Sequence, residues 1–170
     1  ETRKESIGST VVCVMEGNRP MLLEIQALTA PSFMPSPRRI STGIDLSRLH
    51  LVCAILSKRA GINLNNQDIV VNVTGGFKIT EPAADLGMAL AIASNIIGSP
   101  VGLGMAVIGE LGLNGEIRRV FHLERRIEEI KRLGLRQCLV PPAMKNSKFQ
   151  KCELQVINVD TLVRALEFIK

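Results

Sequence analysis

The stretch VNVTGGFKITEPAADLG, residues 71–87, decides the fold. Its first residues continue an apolar, β-branched run that begins at Asp68, which predicts a short strand covered on both faces. Gly75-Gly76 ends that strand. Residues 83–97 are then nearly all apolar, which predicts a buried helix. A buried strand followed by a buried helix indicates a core built from both kinds of element.

On the amino-terminal side of this stretch, the sequence predicts a hairpin and a helix. Residues 1–8 are polar and are expected to be disordered or a linker. Strands are predicted over 9–16 and 20–30, with turn residues between them, and 31–43 is predicted to be a proline-stiffened loop. Asp45 can cap a helix that ends near Ala60. The predicted buried face of that helix consists of Leu46, Leu49, Cys53, Leu56 and Ala60.

On the carboxyl-terminal side, strands and helices mix without strict alternation. A strand is predicted over 105–113, and Asn114-Gly115 is a strong hairpin signal. Residues 122–133 form an amphipathic helix with possible Arg125–Glu129 and Glu128–Arg132 pairs. The last predicted elements are strands at 137–140 and 154–159 and a helix that Asp160 caps and that runs to Lys170. The predicted class is α/β or α+β, with one domain over 9–170.

The composition excludes several classes of protein. The 170 residues are 46% apolar and 22% charged, which is typical of a globular chain rather than a disordered one, and no apolar run is long enough to span a membrane. Trp and Tyr are absent and Phe totals 5, which argues against a nucleic-acid reader built on stacked aromatics. The net charge of +5 permits an anionic partner. Because the chain starts with Glu1, we expect a fragment or a processed form.

Several kinds of chemistry are not signalled by any motif. There is no Gly-Lys dipeptide and hence no Walker-type phosphate loop. The two histidines, His50 and His122, are expected on the surface, and no metal-binding spacing occurs. The cysteines at 13, 53, 138 and 152 have no close pair, so free thiols in a reducing compartment are favoured over a disulfide framework.

Four segments together resemble a known family. They read PSPRR at 35–39, the opening stretch at 71–87, GELGLNGEIRRV at 109–120 and LERRIEEIKRLG at 123–134. Their order and spacing resemble the proteolytic domain of Lon protease and, more closely, the carboxyl-terminal Lon-like domain of the bacterial RadA/Sms family of DNA-repair proteins. The resemblance covers residues 9–170. It implies the Lon proteolytic-domain fold, also described as ribosomal protein S5 domain 2-like, with a mixed sheet packed against helices.

Two residues depart from the peptidase pattern that the resemblance implies. Lon-type hydrolysis needs a serine nucleophile and a lysine that removes its proton. The resemblance places the serine position at Asp85 and the lysine position at Arg126. A carboxylate does not form the serine-type acyl intermediate, and arginine stays protonated. We therefore expect no catalytic residue, and we hypothesise either an Asp85–Arg126 ion pair or two side chains that do not touch.

The resemblance also implies partners and cofactors. It suggests a hexameric, DnaB-like ATPase that binds single-stranded or branched DNA and drives branch migration during recombination. The family's ATPase module, expected to work in cis with this domain, and its zinc finger would hold the ATP, Mg and Zn. No cofactor, metal or membrane is expected for the domain itself. The expected compartment is the bacterial cytoplasm, or a chloroplast or mitochondrion if the source is a plant.

Basic residues away from acids are the candidates for DNA contact. Because no aromatic residues lie between them, contact with phosphates without base readout is expected. The candidates are Arg38, Arg39, Lys58, Arg59, Lys78, Arg118 and Arg119. Two alternatives stay open: a pure ring scaffold without DNA contact, and an active Lon-type serine peptidase.

Overall fold

The computed structural model describes residues 6–142 and 153–170. Within these ranges the chain forms a mixed α/β fold, as the sequence predicts. The strands are β1 (Ser9–Glu16), β2 (Arg19–Pro31), β3 (Arg39–Thr42), β4 (Gln67–Val73), β5 (Met105–Val107), β6 (Glu110–Leu111), β7 (Ile117–Arg118), β8 (Gln137–Val140) and β9 (Gln155–Asn158). The helices are α1 (Leu46–Ala60), α2 (Asp85–Ile97), α3 (Leu123–Arg132) and α4 (Leu162–Leu166). Short 3₁₀ turns occupy Thr74–Gly76 and Pro82–Ala84.

The central sheet has seven strands in the order β3-β4-β2-β1-β5-β8-β9. The hairpin β1–β2 and the pair β2–β4 are antiparallel, whereas the other four neighbouring pairs are parallel. The predicted hairpin, the predicted strand at 68–73 and the strands near 137 and 155 are therefore confirmed. Strands β6 and β7 form a separate two-stranded ribbon.

Helices cover the two faces of the sheet unequally. One face carries α1, α2 and α4 over a core that includes Val12, Ile25 and Ile69. The other face carries α3 over a smaller cluster that includes Cys13, Ala106 and Cys138. This unequal cover explains why β4 is buried on alternate residues only, so the prediction that both of its faces are covered is wrong.

Four local predictions differ from the structure. Residues 39–42 lie in the predicted loop but form edge strand β3, because they pair with β4 in parallel register. The predicted strand at 105–113 is two strands in different sheets, since the chain bends at Gly109 towards α2. Thr161, rather than Asp160, caps α4 by accepting a bond from the Arg164 amide. Asp45 precedes α1 as predicted, but only its backbone carbonyl caps the helix.

The start of the chain and the side-chain pairs on α3 also differ from the predictions. Gly8 was expected in the disordered start, yet its amide donates to Ser94 Oγ at 2.9 Å and its carbonyl accepts from Ala27. On α3, Arg132 pairs with Glu129 instead of Glu128, and Arg125 bonds the Asn18 carbonyl. Cys13, Cys53 and Cys138 are buried free thiols, as predicted. Residues 1–5 and Cys152 lie outside the described residues.

Gly87 lets α2 approach β1 closely. The hydroxyl of Thr10 donates to the Gly87 carbonyl at 2.8 Å, which binds the helix backbone directly to the strand. A Cβ atom at position 87 would overlap with Cγ1 of Val12, whose side chain is fully buried. This contact fixes the first turn of α2, where Asp85 lies.

We predict that Gly87→Ala destabilises the fold although alanine is the better helix former. Overpacking a core of this kind costs about 1–3 kcal/mol, which exceeds the helix-propensity gain of about 1 kcal/mol. Urea denaturation measures the change in the free energy of unfolding. Gly102→Ala is the matched control, because the nearest atoms to its Cβ lie at ordinary contact distance, 3.5 Å and beyond. Equal stability of the two variants would contradict the close approach.

Candidate functional site

The two positions that the resemblance assigns to the peptidase dyad are both buried. Asp85 is 3% exposed and Arg126 is 1% exposed. Asp85 opens α2, whose start is fixed by two backbone bonds: Leu86 N–H donates to Gly109 O at 3.0 Å, and Gly109 N–H donates to Ala83 O at 2.9 Å. Arg126 lies in the second turn of α3. Neither side chain can contact solvent freely, so each needs a partner inside the protein.

Asp85 is paired with Arg48 of α1. Nε of Arg48 donates to Oδ1 of Asp85 at 3.2 Å, and Nη2 of Arg48 donates to Oδ2. The amide of Leu111 also donates to Oδ2, at 3.2 Å. Burial raises the pKa of Asp85 to about 6, although the Arg48 guanidinium and the Leu111 amide both favour the charged carboxylate.

Arg126 is paired with Glu81, which lies just before the 3₁₀ turn that leads into α2. Nη1 and Nη2 of Arg126 donate to the two oxygens of Glu81 at 2.6 and 2.8 Å, a bidentate arrangement. Nη1 also donates to Cys13 O at 2.7 Å, and Nε donates to Phe121 O at 2.9 Å. Glu81 in turn accepts the Met15 amide at 3.0 Å.

The hypothesised Asp85–Arg126 ion pair is therefore wrong: each residue is paired with a different partner. The sequence did not single out either partner. Glu81 stood within the TEPAADL segment that carries the resemblance, and that position was its only signal. Arg48 had no signal, because its role depends on how α1 packs against α2.

A cleft of about 530 Å³ lies beside Asp85. Its charged lining residues are Asp45, Arg48, Lys78, Glu81 and Asp85, and Met88 contributes apolar surface. The cleft thus carries charges of both signs, and one wall holds the buried Asp85 with its partly exposed partner Arg48. Within 6–142 and 153–170, no group of His, Cys, Asp and Glu is arranged to hold a metal ion.

The buried hydroxyl of Ser94 on α2 is also committed. It donates to the Ser99 carbonyl at 2.6 Å and accepts the Gly8 amide at 2.9 Å. His50 and His122 are both exposed, as predicted. No helix among the described residues is long and apolar enough to cross a membrane.

The candidate DNA-contact residues fall into separate places. Arg39 donates to the carbonyl of Leu64, in the loop that follows α1, and to that of Gln67, the first residue of β4, so its side chain lies beside the segment between α1 and β4. Lys58 and Arg59 lie in the last turn of α1.

The other candidates lie at the β6–β7 ribbon and at the cleft. Arg59 donates to the Leu113 carbonyl and to Asn114, both at 3.1 Å, which joins the end of α1 to the tip of the β6–β7 ribbon. Arg118 is the last residue of β7 and Arg119 follows it, and Arg118 pairs with Glu116 at 3.1 Å. Lys78 lies at the cleft, near the opposite end of β3, because Ile79 bonds to Gly43.

Exposure and hydrogen bonding separate the candidates that can contact a partner from those that hold the fold together. Arg38, Lys58, Lys78, Arg118 and Arg119 have exposed side chains. Arg39 is half-buried and its guanidinium is occupied by backbone carbonyls, which is a structural role. Arg59 is exposed but binds the ribbon tip. The exposed residues are thus the better candidates for contact with an anionic partner.

We predict that Asp85→Asn changes how stability depends on pH. The pKa of Asp85 is raised on folding, so the folded state holds its proton more tightly and the wild-type loses stability as pH rises from about 4 to about 6. Because folding raises the pKa by about two, the free energy of unfolding falls by about 3 kcal/mol over this range. Asparagine cannot titrate, so the stability of Asp85→Asn relative to wild-type should increase over this range.

Urea denaturation at several pH values measures this difference. Asp45→Asn is the matched control, because it removes one carboxylate from the exposed rim of the same cleft. A stability difference between Asp85→Asn and wild-type that stays constant from pH 4 to 6 would contradict the raised pKa.

We predict that Arg126→Lys destabilises the fold although it keeps the positive charge. A lysine cannot reproduce the forked bonds to Glu81 while also bonding Cys13 and Phe121, so the free energy of unfolding should fall by about 3 kcal/mol. Thermal and urea unfolding measure this. Arg125→Lys, on the exposed side of the same turn, should cost far less. Equal effects would show that the buried pair is unimportant.

Comparison with known proteins identifies related chains. A family model described as subunit ChlI of Mg-chelatase matches residues 41–144. A protein named DNA repair protein RadA from Halalkalibacterium halodurans is 44% identical over 160 residues, which are 94% of this chain and 35% of the relative. Its namesakes from Listeria monocytogenes and Bacillus subtilis are 44% and 42% identical over 161 residues, again 35% of each relative. The chain thus spans about a third of the length of these curated relatives.

Proposed function

The chain belongs to the family described as subunit ChlI of Mg-chelatase. From its similarity to the RadA relatives, we propose that it is a Lon-like pseudo-protease domain of a RadA-type DNA-repair and recombination ATPase. In this proposal the domain assembles a ring and binds the DNA backbone without reading sequence. The identity of about 44% to proteins named DNA repair protein RadA supports the link to DNA repair.

One observation carries the pseudo-protease assignment: both dyad positions hold buried charges, each committed to its own ion pair. A peptidase of this type needs a hydroxyl that can lose its proton to a neighbouring base. Asp85 offers no hydroxyl, and the guanidinium of Arg126 does not deprotonate. The Arg48 and Glu81 contacts hold the two groups with different partners, so no proton can pass between them.

The exposed basic residues support contact with phosphates. Arg38 directly precedes β3, Lys58 lies in the last turn of α1, Arg118 and Arg119 lie at the end of β7, and Lys78 lies at the cleft. The positive charges of these side chains can contact the phosphates of the nucleic-acid backbone, which are the same in every sequence. Single-stranded or branched DNA is the proposed partner.

The rest of such a protein would supply the motor. Since this chain spans about a third of its curated relatives, the ATP-driven branch migration, with its ATP, Mg and Zn, is assigned to the remaining two-thirds. The proposed assembly is a homo-hexameric ring. The relatives named above are bacterial, which supports the bacterial cytoplasm over a plant organelle as the compartment.

We predict salt-sensitive DNA binding that depends on the exposed basic residues. Fluorescence anisotropy with labelled single-stranded and duplex DNA, over a salt series, measures the slope of log K against log salt concentration. Each phosphate contact contributes about −0.7 to that slope for single strands and about −0.9 for duplex. Lys58→Glu, Lys78→Glu and Arg118→Glu should each weaken binding and flatten the slope by at least one contact.

Arg132→Glu is the matched control, since it reverses an exposed charge on α3, across the sheet from α1. Its DNA affinity should stay near wild-type. If the chain forms rings but does not bind DNA, the proposed DNA-binding function is wrong and the ring-scaffold alternative stands. An equal loss of affinity in all four variants would show that net charge, rather than this surface, binds DNA.

A further inference from the structure

The side chain of Arg59 is exposed, yet the turn of the β6–β7 ribbon holds it along its length. Its Nε donates to the carbonyl oxygen of Leu113 at 3.1 Å, and its Nη2 donates to Oδ1 of Asn114 at 3.1 Å. The stem of Arg59 packs against Gly115, where an added Cβ would come within 3.1 Å of Cβ of Arg59. The ribbon turn therefore forms a platform for this arginine.

The platform is itself fixed to the rest of the fold. The amide of Gly115 donates to Gly112 O at 3.0 Å, and the amide of Gly112 donates to Glu116 O at 2.9 Å. The carboxylate of Glu116 accepts the Asn114 amide at 3.1 Å. The amide of Leu162, the first residue of α4, donates to the Gly115 carbonyl at 2.8 Å. Asn114 is thus an exposed residue on an ordered backbone.

The contacts of Arg59 leave its positive charge in place. Its acceptors on Leu113 and Asn114 are neutral amide oxygens. The neighbouring carboxylate of Glu116 pairs with Arg118 instead, at 3.1 Å. Within 6–142 and 153–170, Arg59 forms no ion pair with a carboxylate, and its Nη1 group makes no hydrogen bond. Nη1 therefore offers charged donors to a ligand.

This combination distinguishes Arg59 from other arginines among the candidates for DNA contact. The guanidinium of Arg39 is also ordered, but it is half-buried and bonded to backbone carbonyls. Arg118 is exposed, but its charge is met by Glu116. An exposed arginine that is ordered before binding loses less side-chain entropy on contact with a phosphate than one that moves freely. Lys58, in the same turn of α1, adds a second exposed charge.

We propose that Asn114 is a positioning residue for DNA binding, because it holds the guanidinium of Arg59 in the orientation in which Nη1 contacts a phosphate of the DNA backbone. This inference rests on the DNA binding of the proposed function and names an uncharged residue on which that binding depends. Asn114 acts through Arg59 and need not touch DNA itself. The group that is bound is a phosphodiester, so the contact is independent of base sequence.

Fluorescence anisotropy of the 170-residue chain with labelled duplex DNA, over a salt series, tests the proposal as a double-mutant cycle. Asn114→Ala keeps every charge but releases Arg59, so it should weaken binding by roughly threefold to tenfold without changing the salt slope. Arg59→Ala should flatten the slope by about one phosphate contact. Once Arg59 has been removed, the addition of Asn114→Ala should weaken binding no further.

Asn18→Ala is the matched control for the loss of an asparagine side chain. Asn18 is also an exposed turn residue, and only its backbone carbonyl bonds to an arginine, Arg125. This variant should bind DNA like wild-type. Circular dichroism and thermal unfolding establish that the variants fold.

Asn114→Asp gives a second test at nearly constant shape. The new carboxylate faces the guanidinium of Arg59 and neutralises it, so this variant should flatten the slope as Arg59→Ala does. Asn18→Asp adds the same charge elsewhere and should keep the wild-type slope.

Two results would overturn the positioning role while DNA binding stands. One is an equal effect, or no effect, of Asn114→Ala in the wild-type and Arg59→Ala backgrounds. The other is a slope for Asn114→Asp that equals that of Asn18→Asp. A wild-type chain that binds no DNA at any salt concentration would overturn the proposed DNA binding as well.

Discussion

The rest of the structure depends on one buried guanidinium, that of Arg126. A charge removed from water is very costly unless it is paired and hydrogen-bonded, so the fold must bring acceptors to it. These acceptors come from three separate parts of the chain: Cys13 on β1, Glu81 before α2, and Phe121 before α3. Glu81 also accepts the Met15 amide, which fixes the acid against the same strand. The requirement to satisfy one side chain therefore joins the strand, the approach to the buried helix and the start of α3 into one unit.

Asp85 is also a buried ionisable group that needs hydrogen-bond partners, and it finds them on other elements. Its carboxylate lies at the first turn of α2, where the positive end of the helix dipole favours an anion, and Arg48 reaches it from α1. Burial still dominates, since the pKa is raised despite the adjacent guanidinium. Two buried charges that each hold a separate partner differ in kind from a serine and a lysine that share a proton. The chemistry of a dyad requires mobility of that proton, whereas both pairs here act as fixed cross-links between elements.

The parts of the fold that follow from local pattern could be predicted, and those that follow from packing could not. The nearly all-apolar run at 83–97 and the two hairpin strands with turn residues between them carry local signals in the sequence, so α2, β1 and β2 were predicted correctly. Strand β3 has four residues and exists because it pairs with β4, a contact that no local signal records. The resemblance identified positions 85 and 126, but it did not identify their partners Arg48 and Glu81. An ion pair depends on which elements of the fold pack together. Arg39 shows the same limit: its sequence neighbours predict a surface cation, whereas the fold turns its guanidinium onto backbone carbonyls.

The geometry of Arg126 also connects the cleft with the segment that carries the exposed Phe121. Its Nη groups hold Glu81, a lining residue of the cleft, and its Nε group holds the carbonyl of Phe121. A lysine has one nitrogen on a flexible stem and cannot support both at once. The guanidinium of Arg126 therefore ties the wall of the cleft to the backbone that carries the exposed side chain of Phe121.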